Sequence, residues 1–163
     1  MTTLTFPSTS RVIFMCGPAG SGKSTVAQQL AGQGLTRLSF DEESFQRGIV
    51  EHPLSQALHD EIEQDLLDRL LVLLRQNKDV VLDYSFWSRA MRDRYKAILT
   101  PFGIAPEIFY VMTPKAVVLQ RLQRRTGAAP HEMKLSAENA ARYYDHFEAP
   151  TPDEGPITII PGS

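Results

Sequence analysis

Gly17-Pro18-Ala19-Gly20-Ser21-Gly22-Lys23-Ser24-Thr25 fits the pattern G-x-x-x-x-G-K-[ST], and its flanks decide how the chain folds. The apolar run Val12-Ile13-Phe14-Met15-Cys16 precedes it and Val26-Ala27-Gln28-Gln29-Leu30 follows. A buried strand therefore feeds a glycine-rich loop that opens a helix. Gly17, Gly20 and Gly22 allow a tight turn whose N–H groups point inward, toward the positive end of that helix, which together surround a phosphate. Lys23 is placed to reach the β- and γ-phosphates and Ser24 to offer its hydroxyl to Mg²⁺. Thr25 caps or packs behind them, and Ala19 and Ser21 complete the nucleotide-binding loop.

The remaining strands and helices follow by periodicity. Leu35 to Phe40 reads as a second strand, ending at the acidic triplet Asp41-Glu42-Glu43. Between Ser55 and Asn77 an apolar stripe of Leu58, Ile62, Leu66, Leu70 and Leu73 or Leu74 recurs at helical spacing. Val80-Val81-Leu82-Asp83 is a short apolar strand that ends in an acid. A helix from Ser88 to Thr100, a strand from Ile108 to Met112 and a helix from Pro114 to Arg125 follow. The small residues Thr126-Gly127-Ala128-Ala129-Pro130 then break the pattern as a loop that can move, before a last helix near Ser136 and a fifth strand at Ile157 to Ile160. This alternation predicts a three-layer α/β/α sandwich with a mainly parallel five-stranded sheet.

Composition bounds the function. With 163 residues, one domain with a sizeable core is expected. A net charge of −2 argues against a broad electrostatic footprint for nucleic acid. The single cysteine, Cys16, excludes an internal disulfide and fits a reducing compartment, with the thiol read as a small buried apolar group. The first ten residues lack the basic and apolar segments of a signal peptide, and there is no apolar run long enough for a membrane span, so cytoplasm is the expected location.

Phosphoryl transfer needs a phosphate cradle, a metal, a carboxylate that supports it, a base near the acceptor and cations on the transferring group. The chain offers each. Asp83, at a strand end, is the candidate metal-supporting acid together with Ser24. Asp41 is the candidate general base, with Glu42 and Glu43 as alternatives; the triplet also suits the positive end of a helix. Arg121 and Arg125 lie four apart on one helix face, with Arg124 beside them, and form candidate lid cations next to the mobile loop at about 121–135. Arg89, Arg92 and Arg94 are candidates for contact with the acceptor, and Tyr84, Phe86 and Trp87 for the lining of its pocket. The histidines show no metal-ligand or nucleophile spacing.

Together these parts resemble the small P-loop kinases related to zeta toxins, chloramphenicol phosphotransferase and the kinase domain of polynucleotide kinase. GPAGSGKST at 17–25, an acid after the second strand at Asp41, VVLD at 80–83 and TPKAVVLQRLQRR at 113–125 carry the resemblance. It implies a P-loop NTPase fold, ATP and Mg²⁺ as cofactors, Asp41 at the catalytic acid position and Arg121, Arg124 or Arg125 in the lid role. The expected activity is ATP-dependent transfer of the γ-phosphoryl group to a hydroxyl, on a small molecule or, less favoured, a nucleic-acid 5′ end. A nucleotide-binding switch or regulatory ATPase without a hydroxyl acceptor is the alternative. The acceptor, the choice of ATP or GTP and the oligomeric state stay open.

Overall fold

A computed structural model describes residues 7–49, 55–124 and 137–162. Five strands, β1 (Val12–Cys16), β2 (Thr36–Ser39), β3 (Val80–Asp83), β4 (Glu107–Met112) and β5 (Ile157–Pro161), form one sheet in the order β2-β3-β1-β4-β5. All four pairings are parallel, as the alternation of strands and helices predicts.

Parallel strands joined by crossover helices are covered on both faces, which is why β1 and β3 read as unbroken apolar runs. Val12, Phe14 and Cys16 point to one face, where Ile62, Leu66 and Leu70 of α3 (Gln56–Arg75) and Tyr95 and Leu99 of α4 (Arg89–Leu99) cover them. Ile13 and Met15 point to the other, onto Ala27 and Leu30 of α1 (Lys23–Gly32). The stripe expected on α3 is real: Ile62, Leu66, Leu70 and Leu74 are all buried. Burying each such side chain stabilises the fold by about 2 kcal/mol.

Local chemistry sets the helix ends. Ser55 and Ser88 cap α3 and α4 through their hydroxyls, accepting from Leu58 N at 3.3 Å and Met91 N at 3.1 Å. Pro114 stands before α5 (Lys115–Gln123), which packs against α6 (Ala137–His146) through Val118, Leu122 and Ala140. The second strand is shorter than its apolar pattern implies. It stops at Ser39, whose hydroxyl accepts from Glu42 N at 3.1 Å and starts α2 (Phe40–Gln46) at once.

The central strand β1 has β3 on one side and β4 on the other, so the chain runs outward in opposite directions from it. In an open α/β sheet that reversal opens a crevice beyond the carboxyl ends of the strands. Gly17 to Gly22, Asp83 and the start of α2 all follow strand ends at this edge. Among the described residues no helix is long and apolar enough to cross a membrane.

Candidate functional site

The loop between β1 and α1 takes conformations that side chains resist. Gly20 has φ +84°, and a Cβ there would lie 3.0 Å from Leu122 Cγ and 3.2 Å from Val118 O of α5. Gly22 has φ +99° and caps α1 without a side-chain hydrogen bond, so the first N–H groups of the helix stay open to an anion. Thr113 Oγ1 donates to Ser21 O at 2.6 Å and Arg121 Nη1 donates to Gly20 O at 3.2 Å, which ties the loop to the carboxyl end of β4 and to α5.

Lys23 begins α1 and is 5% exposed. Among the described residues its ammonium has no hydrogen-bond or ion-pair partner. With its stem buried and its charged end unpaired, Lys23 has a free cation to offer an anion bound at the loop. The Ser21 hydroxyl is likewise buried without a partner. Cation, hydroxyl and free N–H groups therefore suit the same anionic group.

Ser24 Oγ donates to Asp83 Oδ2 at 3.1 Å, joining the phosphate loop to the end of β3 across 59 positions of sequence. Asp83 is 4% exposed, and its other oxygen, Oδ1, is buried with no partner. This donor set fits Mg²⁺, which keeps several waters and takes one or two protein oxygens plus substrate phosphates. Among the described residues there is no group of three His, Cys, Asp or Glu side chains that could hold a metal ion unaided.

Arg37 is a site residue that the sequence reading missed. It donates to Asp83 Oδ2 through Nε at 3.1 Å and Nη2 at 2.8 Å, and to Glu42 through Nη1 at 2.5 Å. Strand alternation is the available signal. Arg37 lies two residues from the buried Ser39, opposite the core-facing Leu38, so its guanidinium shares a face with the end of the neighbouring β3.

Asp41, Glu42 and Glu43 form the first turn of α2, where the helix dipole favours carboxylates, so the triplet does sit at the positive end of a helix. Their surroundings separate them. Glu43 is buried and held by Arg47 at 3.2 Å and Arg69 at 3.1 Å, and Glu42 is held by Arg37. Asp41 is partly exposed and has no side-chain partner among the described residues.

The other expected residues divide. Thr25 is exposed on α1, and Arg124 is exposed at the end of α5. Arg125 and the rest of the expected lid at about 121–135 lie outside the described residues, which reach only 124 here. The arginines after Asp83 are bound to carboxylates: Arg89 to Asp93 and Asp153, Arg94 to Glu63, and Arg92 to Glu154. Tyr84 and Phe86 are core residues, stacked at 5.7 Å, and only Trp87 is exposed. Burial pushes the Tyr84 phenol well above its ordinary pKa and the Cys16 thiol up to about 12, so both stay protonated at neutral pH and neither is a nucleophile.

Similarity to known proteins falls along the same lines. The family model described as an AAA domain matches residues 12–150. No curated protein matches the chain. Among solved structures, a proposed kinase from Chloroflexus aurantiacus is similar at 20% identity and TM-score 0.75, over 94% of this chain and 89% of that one. A gluconokinase from Sinorhizobium meliloti is similar at 20% identity and TM-score 0.62, over 98% of this chain and 85% of that one. Kti12 from Chaetomium thermophilum, in complex with ADP-AlF3, is similar at 17% identity and TM-score 0.63, over 92% and 88%. At these identities the structures share a fold with this chain, and the family match spans β1, α1, α2 and β3, which build the loop and the Ser24–Asp83 contact. The chain belongs to the AAA-domain family and has the P-loop fold found in small kinases.

Proposed function

We propose that this protein is an ATP-dependent phosphotransferase that moves the γ-phosphoryl group to a hydroxyl, in a single domain. The observation that carries the reading is the contact between Ser24 and Asp83, with one Asp83 oxygen left free beside a glycine loop and a buried, unpaired Lys23. A switch needs that much as well; the unpaired Asp41 at the same edge of the sheet favours transfer to an acceptor.

The steps follow from the residues. Loop N–H groups, Ser21 and Lys23 bind the triphosphate and hold its γ-phosphorus in line with the acceptor. Asp41 accepts the hydroxyl proton as the acceptor oxygen bonds to phosphorus and the bond to the β-phosphate oxygen breaks, releasing ADP. Arg121, and Arg124 and Arg125 beyond it, supply positive charge to the transferring group. Bound Mg²⁺, held by Ser24 and Asp83, would offset the charge of the β- and γ-phosphates.

The low net charge and the crowded ion pairs around α2 favour a small-molecule acceptor over a nucleic-acid 5′ end. The gluconokinase among the similar structures is a kinase named for a small acceptor. The test is Mg²⁺-dependent ADP formation with a panel of sugars, nucleosides, antibiotics and 5′-hydroxyl oligonucleotides. One acceptor that stimulates turnover and recovers labelled phosphate is the expected outcome. Tight ATP binding with slow turnover that no acceptor alters would overturn the proposal in favour of a regulatory ATPase.

A further inference from the structure

Two consecutive residues that are not glycine, Ser85 with φ 66° and Phe86 with φ 48°, hold left-handed backbone immediately after Asp83-Tyr84. For a bulky aromatic residue that conformation is strained and persists only where its surroundings over-determine it. Here the Phe86 ring is fully buried and stacked on Phe14, with centroids 4.2 Å apart. Phe86 O accepts a hydrogen bond from Arg92 Nη1 at 2.7 Å.

Arg92 is itself wholly buried. Its Nε and Nη2 donate to the two oxygens of Glu154 at 2.6 and 3.3 Å, and Nη1 also donates to Glu148 O at 2.8 Å. Glu154 is buried too and accepts from Thr151 N at 2.7 Å. The strained turn delivers Ser85 O to Gly17 N at 3.1 Å, which pins the first glycine of the phosphate loop. A continuous chain of contacts thus runs from Glu154 through Arg92 and the 85–86 turn to Gly17, with Asp83 two residues upstream of the turn.

A buried ion pair is a weak source of stability, since apolar side chains of similar volume serve as well. Apolar side chains cannot hold a carbonyl in place. We propose that Arg92 and Glu154 are positioning residues for the nucleotide site: they keep Ser85–Phe86 left-handed and thereby anchor Gly17, where the phosphate loop begins, and Asp83, so that the loop and the carboxylate are in place for a bound nucleotide and its metal. The inference rests on the reading of the loop as a nucleotide site and adds to it a device built from two residues 62 positions apart in sequence.

The test is the affinity of the full chain for ADP, with and without Mg²⁺, measured by calorimetry alongside thermal unfolding. Arg92→Lys keeps the charge and loses the fork, and should weaken ADP binding about tenfold. Adding Ser85→Gly supplies a residue that adopts φ 66° freely, so the double variant should recover most of the affinity while its Tm stays low. Should Arg92→Lys not fold, Arg92→Met with Glu154→Leu replaces the pair by apolar groups and should fold with the same loss of affinity. Affinity within twofold of the parent in these variants, or affinity that tracks Tm and is not restored by Ser85→Gly, overturns the proposal and leaves the nucleotide site standing. A parent protein that binds no ADP removes the nucleotide reading and the proposal with it.

Discussion

Two carboxylates border the candidate site and are held in opposite ways. Asp83, at the end of β3, is buried and accepts from Ser24 and from two nitrogens of Arg37. Asp41, in the first turn of α2, is partly exposed and has no side-chain partner among the described residues. A group that positions a metal gains from being fixed, because every donor around it removes freedom that binding would otherwise have to remove. A group that takes a proton from a changing partner gains from being free to approach it. The contrast assigns different work to two side chains of the same chemistry.

Breaking the free partner should have the largest effect. Asp41→Asn is expected to lower acceptor-dependent turnover by about 10²–10⁴-fold while ADP affinity stays within about twofold, a split visible in kcat against calorimetric Kd. If turnover is unchanged, Asp41 is not the base. Breaking the fixed partner should do the reverse. Asp83→Asn is expected to abolish most of the gain in nucleotide affinity that Mg²⁺ confers, about 10–100-fold, in a titration of ADP binding against Mg²⁺.

Arg37 sharpens the comparison because it holds Asp83 directly and, although it also pairs with Glu42, leaves Asp41 without a side-chain partner among the described residues. Arg37→Met leaves Asp83 buried with Ser24 alone, and removing one partner of a buried pair costs about 3–5 kcal/mol. Arg37 and Glu42 are partly exposed, so the lower end or below is expected in urea unfolding. Mg²⁺ should raise the Tm of this variant more than that of the parent, since the cation replaces a charge that the variant has lost.

The smallest effect concerns pH. Burial would raise the Glu154 carboxyl, but its hydrogen bonds from Arg92 and the Thr151 backbone outweigh this and hold it below its ordinary 4.5. A carboxyl depressed by folding contributes stability that is present above its unfolded value and lost as pH falls toward the folded one. Stability measured by urea should therefore decline below about pH 4.5, and Arg92→Met with Glu154→Leu should flatten that part of the curve. An equal decline in both proteins would assign the acid sensitivity to other carboxylates.

Much of this arrangement was legible in the residues and some was not. The phosphate loop, β1 and β3 were readable because glycine spacing and apolar runs are local signals, and because both faces of a parallel sheet are covered. The start of α2 was also readable in principle: Ser39-Phe40-Asp41-Glu42 has the S-x-x-E form of a helix N-terminus, yet the apolar pattern through Phe40 pulled the strand one residue too far. Strand alternation gives the face of Arg37 but not its partner, and nothing local marks Arg92, since their roles depend on carboxylates 46 and 62 positions away that only tertiary folding brings near. Three arginines on α4 look alike in sequence, and just one of them turns inward.

The strand order also governs when the phosphate loop can form during synthesis. β1 emerges early but pairs with strands that begin only at Val80 and Glu107, so it has no sheet partner until about half of the sequence has left the ribosome, and its second edge stays unpaired until about two thirds has. Until then the Val12–Cys16 run is an exposed apolar segment of high β-propensity, the type of stretch that chaperones shield and that aggregates when they are scarce. Slowing translation near the codons for β4 would lengthen that exposure, and the yield of folded protein should respond more to pauses there than to pauses after β4 is complete.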